Sequence, residues 1–324
     1  RTGARWSRHI PRDLESAGHY GEGMPPLNPS GRFAPSPSGD LHIGNLRTAV
    51  LAWLFARTTD RDFAMRMEDL DRAQPGADVR QLHDLAALGI TWDEPVIYQS
   101  DRREHYRTVI DAMVRAGTTF ECFCTRREIL EAPSAPHAPQ GAYPGTCRDL
   151  TEAQRDERRA DRPAAIRLRA EASSFSVHDV LHGEFTGDVD DFVLVRNDGT
   201  PAYNLAVVVD DAASGIDQVV RGDDLLTSAP RQAYLAAMLG HRPPEYAHVP
   251  MVLNRDGARL AKRDGAVTLA DLREQGVDSG GVLSMIATSL RMADDGERVT
   301  LADLTDRFEP SKLPREPWIF VPRG

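Results

Sequence analysis

The sequence predicts an α/β protein built on a mainly parallel sheet, interrupted by a cysteine-bearing insertion and followed by a short helical region. Short apolar stretches of strand type alternate with segments of helical periodicity, and this alternation is typical of parallel sheets. All three cysteines lie in one proline-interrupted segment at 118–147, which breaks the alternation. With 324 residues, of which 41% are hydrophobic, the chain is long enough for one large core and a smaller second unit.

The first predicted elements alternate regularly between strand and helix. A short strand at 31–36 leads through a Pro/Ser/Gly loop into a helix at 45–57, whose apolar residues recur every three or four positions. A second strand is predicted at 62–68, and helices follow at 77–88 and 101–116.

The elements after the cysteine segment are less regular. In chain order they are a charged helix at 151–160, strands at 164–169 and 191–196, a hairpin turn at Asn197-Asp198-Gly199, a buried strand at 206–209, and a helix at 227–239 that Gly240 ends. Residues 267–324 are predicted to be mainly helical until their proline-rich end.

Composition narrows the class of protein. The net charge of −10 argues against a module that mainly binds nucleic acid non-specifically, because such modules are usually basic. No apolar run is long enough for a membrane span and the N-terminus has no signal core, so we expect a cytoplasmic protein without membrane contact. An odd number of cysteines also argues against a disulfide scaffold.

A first candidate site lies where the first strand passes into the first helix. The loop ends in His42-Ile43-Gly44-Asn45, and a helix N-terminus offers free N–H groups that suit a phosphate. Gly44 allows close approach of a nucleotide, and His42 can donate to a phosphate oxygen. Alternatively, His42 only caps the helix and Gly44 is a packing glycine.

A second candidate is a glycine-flanked basic loop, Gly257-Ala-Arg259-Leu-Ala-Lys262-Arg263-Asp-Gly265. A lysine in such a loop can stabilise the negative charge that builds up during phosphoryl chemistry, and the glycines allow the loop to close. The alternative is an ordinary basic surface turn.

Together these segments resemble the class I glutamyl- and glutaminyl-tRNA synthetases. The stretch from Arg32 through Ser36 to the tetrapeptide is similar to their signature, in which His-Ile-Gly-His is usual and Asn45 here replaces the second histidine. The basic loop resembles their Lys-Met-Ser-Lys-Ser loop, with Lys262 at the second lysine and Arg259 at the first. The resemblance implies a Rossmann-like catalytic domain that binds ATP with magnesium through His42, Gly44, Asn45 and Lys262, of which His42 and Lys262 are catalytic.

The resemblance also implies a glutamate site. A dicarboxylate amino acid needs cations for its carboxylates and an acceptor for its ammonium, and arginine suits carboxylates through paired N–H donors. The residues nominated are Arg32, Ser36, Glu68, Tyr203 and Arg221. Alternatively, Glu68 lies in a solvated acidic turn and Tyr203 is a core aromatic; which arginine takes which carboxylate stays open.

The cysteines suggest one structural zinc site. Cys122, Cys124 and Cys147 supply three of about four ligands, and His137 would be the ordinary choice for the fourth. The pattern resembles that of glutamyl-Q tRNA(Asp) synthetases, which implies Tyr143 as the fourth ligand, with His137 as the alternative. The remaining possibility is three buried thiols without a metal.

The predicted domain organisation combines these observations. It comprises an irregular or disordered extension (1–30), two halves of the catalytic domain (31–117 and 191–266) around an inserted subdomain of zinc-binding or acceptor type (118–190), and a mainly helical region (267–324).

The resemblance implies a ligase that activates L-glutamate with ATP without tRNA and then transfers it to queuosine in the anticodon loop of tRNA(Asp). This acceptor is expected because a full glutamyl-tRNA synthetase continues into an anticodon-binding domain, whereas this sequence ends at Gly324. We expect a monomer. The alternatives are a truncated glutamyl-tRNA synthetase acting on tRNA(Glu), and a non-catalytic nucleotide- or RNA-binding paralogue.

Overall fold

The computed structural model describes residues 28–131, 143–260 and 267–322. The strands are β1 (Ser30–Phe33), β2 (Asp62–Met67), β3 (Ile97–Tyr98), β4 (Thr119–Cys122), β5 (Ala165–Leu168), β6 (Ser174–Asp179), β7 (Gly183–Asp188), β8 (Val193–Val195), β9 (Ile216–Gly222), β10 (Glu245–Val249), β11 (Val252–Leu253) and β12 (Trp318–Ile319). The α-helices are α1 (Ile43–Arg57), α2 (Ala77–Ala87), α3 (Arg103–Arg115), α4 (Arg126–Glu131), α5 (Glu152–Asp161), α6 (Tyr203–Ala213), α7 (Ala229–Met238), α8 (Leu269–Glu274), α9 (Ser279–Ser289) and α10 (Leu301–Arg307).

Within the described residues, the central sheet has seven strands in the order β3-β2-β1-β9-β10-β6-β7. Every neighbouring pair is parallel except the β6–β7 hairpin, which closes one edge. The prediction of an α/β fold with a mainly parallel sheet is therefore confirmed. In such sheets ligands bind beyond the carboxyl ends of the strands, and β1, β2 and β9 end at the same edge.

Helix α1 lies against the middle of this sheet and organises the largest core. Its residues Ile43, Leu46, Val50 and Leu54 are fully buried, because the helix is covered by the sheet on one side and by α9 and α10 on another. A side chain at Gly31 would lie 2.9 Å from the Cβ of Ala56, so glycine permits the close approach of β1 to α1.

A separate antiparallel sheet, β4-β5-β8, carries Cys122 at the end of β4. Phe120, Cys122, Phe123 and Cys147 form a small buried cluster on it. The strands β6 and β7 lie between β5 and β8 in sequence, yet they pair with the central sheet. The predicted domain bounds stay a prediction.

The prediction of a strand at 206–209 is wrong. These residues lie in the middle of α6, which packs against α3 and α7 and is buried at Leu205 and along Ala206–Val209. An uninterrupted apolar run fits a helix covered on all sides as well as it fits a buried strand, so its periodicity carries no signal. By contrast, Gly240 has the positive φ of +81° expected just after a helix.

Among the described residues, no helix has the length and apolarity that spanning a membrane requires.

Candidate active site and metal centre

A cavity of about 710 Å³ opens at the carboxyl ends of β1, β2 and β9. It brings together eight residues that the sequence nominated: Arg32, Ser36, His42, Gly44, Asn45, Glu68, Tyr203 and Arg221. They come from segments nearly two hundred residues apart, and the order of the strands places them around one space. The nominated Lys262 lies outside the described residues, two positions after Leu260, which lines the same cavity.

His42 is the N-cap of α1, and the two nitrogens of its ring have different roles. Nδ1 accepts hydrogen bonds from the N–H groups of Gly44 (3.1 Å) and Asn45 (3.3 Å). Burial lowers the pKa of His42, so the ring is neutral at physiological pH and its proton lies on Nε2. His42 therefore caps the helix and still keeps an N–H donor at the cavity.

Asn45 completes the cap from the other direction. Its Oδ1 accepts from the backbone N–H of His42 at 3.2 Å, which makes a reciprocal capping box. The position that departs from the family tetrapeptide thus has a clear structural role in starting α1.

Arg221 at the end of β9 is 5% exposed, and all its hydrogen-bond partners are neutral groups. It donates to His248 Nε2 (3.0 Å) and Gln232 Oε1 (2.7 Å), with the Tyr203 hydroxyl at 3.5 Å. In the part of the chain that the structure describes, Arg221 forms no ion pair. A ligand carboxylate would supply the missing counter-charge.

Arg32 and Glu68 belong instead to a buried charge network. Arg66 donates to Asp211 (2.7 Å) and to Glu68 (3.2 Å), and Arg32 approaches Asp211 at 3.4 Å. Burial raises the pKa of Glu68 although Arg66 and Arg32 lie close. A cationic ligand group beside Glu68 would favour its ionised form.

Sequence reasoning missed the residues that hold this network in place. Asp210 is completely buried and accepts from Gln99, Arg102 and Tyr106, which ties α6 to α3 and the segment before it. The signal was an acidic pair directly after an apolar run, but the strand prediction for that run concealed it.

Gln81, also missed, holds the loop at the front of the cavity. It is 1% exposed, and its Nε2 donates to the carbonyls of Ser36 (3.1 Å) and Gly39 (2.7 Å). Nothing local in the sequence marks a glutamine on α2 as a partner of that loop.

Both ends of the segment containing Lys262 are anchored at the cavity. Arg259 pairs with Asp224, and Leu260 is buried at the cavity wall. On the other side the N–H of Ile43 donates to the carbonyl of Val267 at 2.8 Å, directly beside His42.

The three cysteines form one cluster, with their sulfur atoms all within 4.8 Å of one another. Tetrahedral zinc with Zn–S bonds of about 2.3 Å requires sulfurs about 3.8 Å apart, so the donor set and spacing fit this metal. The Tyr143 hydroxyl accepts from the N–H of Cys147 at 2.7 Å, and the guanidinium of Arg167 lies 3.9 Å from the Tyr143 ring centre. His137 lies outside the described residues.

Burial, with a hydrogen bond to Cys122, raises the pKa of Tyr143. As a ligand it would therefore need the metal ion itself to displace its proton.

Comparison with known proteins decides the family. A family model described as the catalytic domain of class I tRNA synthetases (E and Q) matches residues 30–323. The chain belongs to this family. The class I fold and an ATP-dependent ligase of the aminoacyl-tRNA synthetase class are thereby confirmed.

Its relatives in this synthetase family include several named glutamyl-Q tRNA(Asp) synthetase. The one from Nocardia farcinica is 62% identical over 93% of this chain and 96% of its own length. The one from Cutibacterium acnes is 51% identical over 85% of this chain and 81% of its own. The resemblance stated from the sequence is confirmed.

Solved glutamate-tRNA synthetases share the structure. The enzyme from Elizabethkingia anophelis matches with a TM-score of 0.78 at 28% identity, over 90% of this chain and 68% of that one. The enzyme from Elizabethkingia meningosepticum, determined in complex with its amino acid, gives a TM-score of 0.77 at 28% identity over 90% and 67%.

Proposed function

We propose that the chain activates L-glutamate with ATP, without tRNA, and transfers the glutamyl group to queuosine at the wobble position of tRNA(Asp). The observation that carries the proposal is the cavity itself. It combines Arg221, a buried arginine with no carboxylate partner among the described residues, with a helix N-terminus capped by the neutral His42. The arginine suits a carboxylate of the amino acid, and the helix N-terminus suits the triphosphate of ATP.

Glutamate would bind between Arg221 and Glu68. Arg221 supplies paired N–H donors for one carboxylate, and the Tyr203 hydroxyl beside it, on a side chain that is 42% exposed, adds a further donor. Glu68 accepts from the ammonium group, while Arg32 offsets the second carboxylate despite its contact with Asp211. The fit to a dicarboxylate follows from this pairing of charges.

ATP would bind at the start of α1. His42 Nε2–H donates to a phosphate oxygen, and the backbone at Gly44 lets the triphosphate approach the helix end, where Asn45 holds the cap. Magnesium bound with ATP neutralises charge on the phosphates. Lys262 is proposed as the cation that stabilises the reacting phosphate.

The reaction balances without a further reactant. An α-carboxylate oxygen of glutamate bonds to the α-phosphorus, and the bond to pyrophosphate breaks. A hydroxyl of the queuosine cyclopentenediol then attacks the glutamyl carbonyl, AMP leaves, and the hydroxyl proton passes to solvent. The chain's residues position the reactants and stabilise charge, which are the main means of catalysis in phosphoryl transfer.

Zinc is proposed at Cys122, Cys124, Tyr143 and Cys147 in a structural role. The sulfur spacing and the position of the Tyr143 hydroxyl beside Cys147 support this set. Bound there, zinc would cross-link β4 to the segment around Cys147.

The proposal that tRNA(Asp) is the acceptor is supported by the similarity to named relatives. Those named glutamyl-Q tRNA(Asp) synthetase align over most of their length, whereas glutamate–tRNA ligase 1 of Acidithiobacillus ferrooxidans, 39% identical, is covered over only 60% of its own. We propose that the anticodon loop of tRNA(Asp) presents its base to this cavity, and that the protein acts as a cytoplasmic monomer.

Two assays test the proposal. Glutamate-dependent ATP–pyrophosphate exchange is measured without tRNA, with aspartate and glutamine as control amino acids. Transfer of labelled glutamate is then measured to tRNA(Asp) with and without queuosine, and to tRNA(Glu). The proposal requires exchange with glutamate alone and transfer only to the queuosine-containing tRNA; absence of exchange would favour a non-catalytic paralogue, and charging of tRNA(Glu) would favour a glutamyl-tRNA synthetase.

A further inference from the structure

A chain of buried hydrogen bonds stands behind Arg221. Asp179 at the end of β6 and His248 on β10 are both completely buried. The Asp179 Oδ2 atom lies 2.6 Å from His248 Nδ1, and Arg221 Nε donates to His248 Nε2 at 3.0 Å. Strands β6, β10 and β9 are neighbours, so the three side chains cross the sheet in order.

The surroundings of Asp179 fix where the proton of His248 lies. Its carboxylate accepts from the backbone N–H groups of Leu181 (2.8 Å), His182 (2.9 Å) and His248 (3.0 Å). These donors and the imidazole outweigh burial and keep the pKa of Asp179 below its usual range. An ionised Asp179 only accepts, so Nδ1 of His248 carries the proton and Nε2 offers its lone pair to Arg221.

His248 therefore holds Arg221 without neutralising it. A protonated imidazole would direct a second N–H at the Arg221 Nε–H, which excludes the charged form while this contact exists. Gln232 acts in the same way on the other side of the guanidinium, since its Oε1 accepts from Arg221 and its Nε2 donates to Asn204. The guanidinium is thus oriented by neutral acceptors, and its charge is kept for a ligand.

We propose that Asp179 and His248 are positioning residues that orient Arg221 for a carboxylate of the amino acid substrate. The inference rests on the proposed function, in which Arg221 binds glutamate. Asp179 acts through His248 by fixing its tautomer, and neither residue lines the cavity.

Two substitutions at one position separate positioning from packing. In His248→Asn the shorter amide can still donate to Asp179, but it loses the acceptor for Arg221. In His248→Gln the amide oxygen reaches the place of Nε2 and still accepts from Arg221, while Asp179 keeps its three backbone donors. Each variant gives up one buried contact, so their thermal stabilities should fall by similar amounts.

We expect His248→Asn to raise the KM for glutamate in ATP–pyrophosphate exchange by about tenfold or more, since a hydrogen bond to a charged group is lost. The KM for ATP should stay within about twofold, and His248→Gln should restore the glutamate KM to within about threefold of the unmodified protein. His178→Asn, at an exposed histidine on β6, serves as the control and should change neither constant.

Equal glutamate KM values in the Asn and Gln variants, or an Asn variant that behaves like the unmodified protein, would overturn the inference. Absence of glutamate-dependent exchange in the unmodified protein would instead contradict the proposed function. Imidazole ¹⁵N spectra of the unmodified protein test the same point without the His248→Asn variant. The His248 signal is identified by its absence from the spectrum of His248→Gln. It should show a protonated Nδ1, and a protonated Nε2 would contradict the proposal.

Discussion

The cavity and the cysteine cluster are organised in opposite ways. In the cavity, Arg221, His42 and Glu68 are each held by hydrogen bonds to other groups of the chain. In the cluster, the sulfur atoms of Cys124 and Cys147 face each other at 3.6 Å, and burial with the neighbouring Cys122 raises the pKa of Cys124 to about 12. The side chains of the cavity are thus held in place by the protein itself. The cysteine side chains are arranged so that a bound metal would hold them in place.

Because they are organised differently, the two regions should respond independently to substitution. The cavity lies on the central parallel sheet with a large core behind it. The cluster lies at the end of β4, outside that sheet, and has a small core of its own. Changes in the cavity should alter substrate binding and leave the proposed zinc binding unaffected. Changes in the cluster should do the reverse.

The largest effect is expected from Arg221→Gln. Loss of the cation would remove the proposed anchor of a glutamate carboxylate. The kcat/KM for glutamate in exchange should then fall by about a thousandfold, as expected for a broken buried charge pair. Bound zinc should be unchanged when measured by elemental analysis. Arg115→Gln, at an exposed arginine on α3, is the control; an Arg221 variant that loses zinc would contradict the separation of the two regions.

Cys124→Ser should act on the other region alone. Loss of one of four ligands should lower zinc affinity by more than about a hundredfold, and amide exchange should accelerate around β4 and in the segment that contains Cys147. Glutamate-dependent exchange should stay within about threefold, because the cavity is held by its own hydrogen bonds. Unchanged zinc content, or abolished exchange, would show the contrast to be wrong.

Gly44→Ala tests how tightly the cavity is built. The added Cβ would lie 2.9 Å from the His42 ring and 3.2 Å from the Cβ of Val252, so the ring must move. We expect kcat/KM for ATP to fall by about ten- to a hundredfold with little change in the KM for glutamate. Gly280→Ala is the matched control, since it occupies the same position of α9 and meets first the flexible end of Arg298.

The smallest expected effect is a loss of folding stability at acidic pH. Burial lowers the pKa of His248 and of His42 in the folded protein. As the pH falls, these two histidines are therefore protonated in the unfolded chain before they are protonated in the folded one. The contribution of these two histidines to the free energy of unfolding should therefore be complete above pH about 6.5. Below that pH it should decrease, by at most about 1.4 kcal/mol for each pKa unit of difference between the unfolded and folded states. Urea titrations between pH 5 and 8 measure this, and His248→Gln should flatten the slope; an unchanged slope would mean that His248 does not contribute.

Much of the fold and the lining of the cavity could be predicted because their signals are local. The helix that His42 begins shows in its apolar spacing, and the loop before it carries a recognisable motif. The Asp179–His248 pair had no such signal, because the two residues lie 69 positions apart and their strands meet only in the sheet. The Asp210–Asp211 pair was hidden by the helix that resembled a strand.

The different roles of the two ring nitrogens of His42 limit which substitutions can be accepted at this position during evolution. A replacement at position 42 affects two roles at once: a side chain that preserves the cap but only accepts hydrogen bonds, such as aspartate, loses the proposed phosphate donor. A replacement at position 45 touches only the start of the helix, where aspartate, glutamate or glutamine could accept the same N–H. Selection should therefore tolerate drift at the last residue of the tetrapeptide and oppose it at the first.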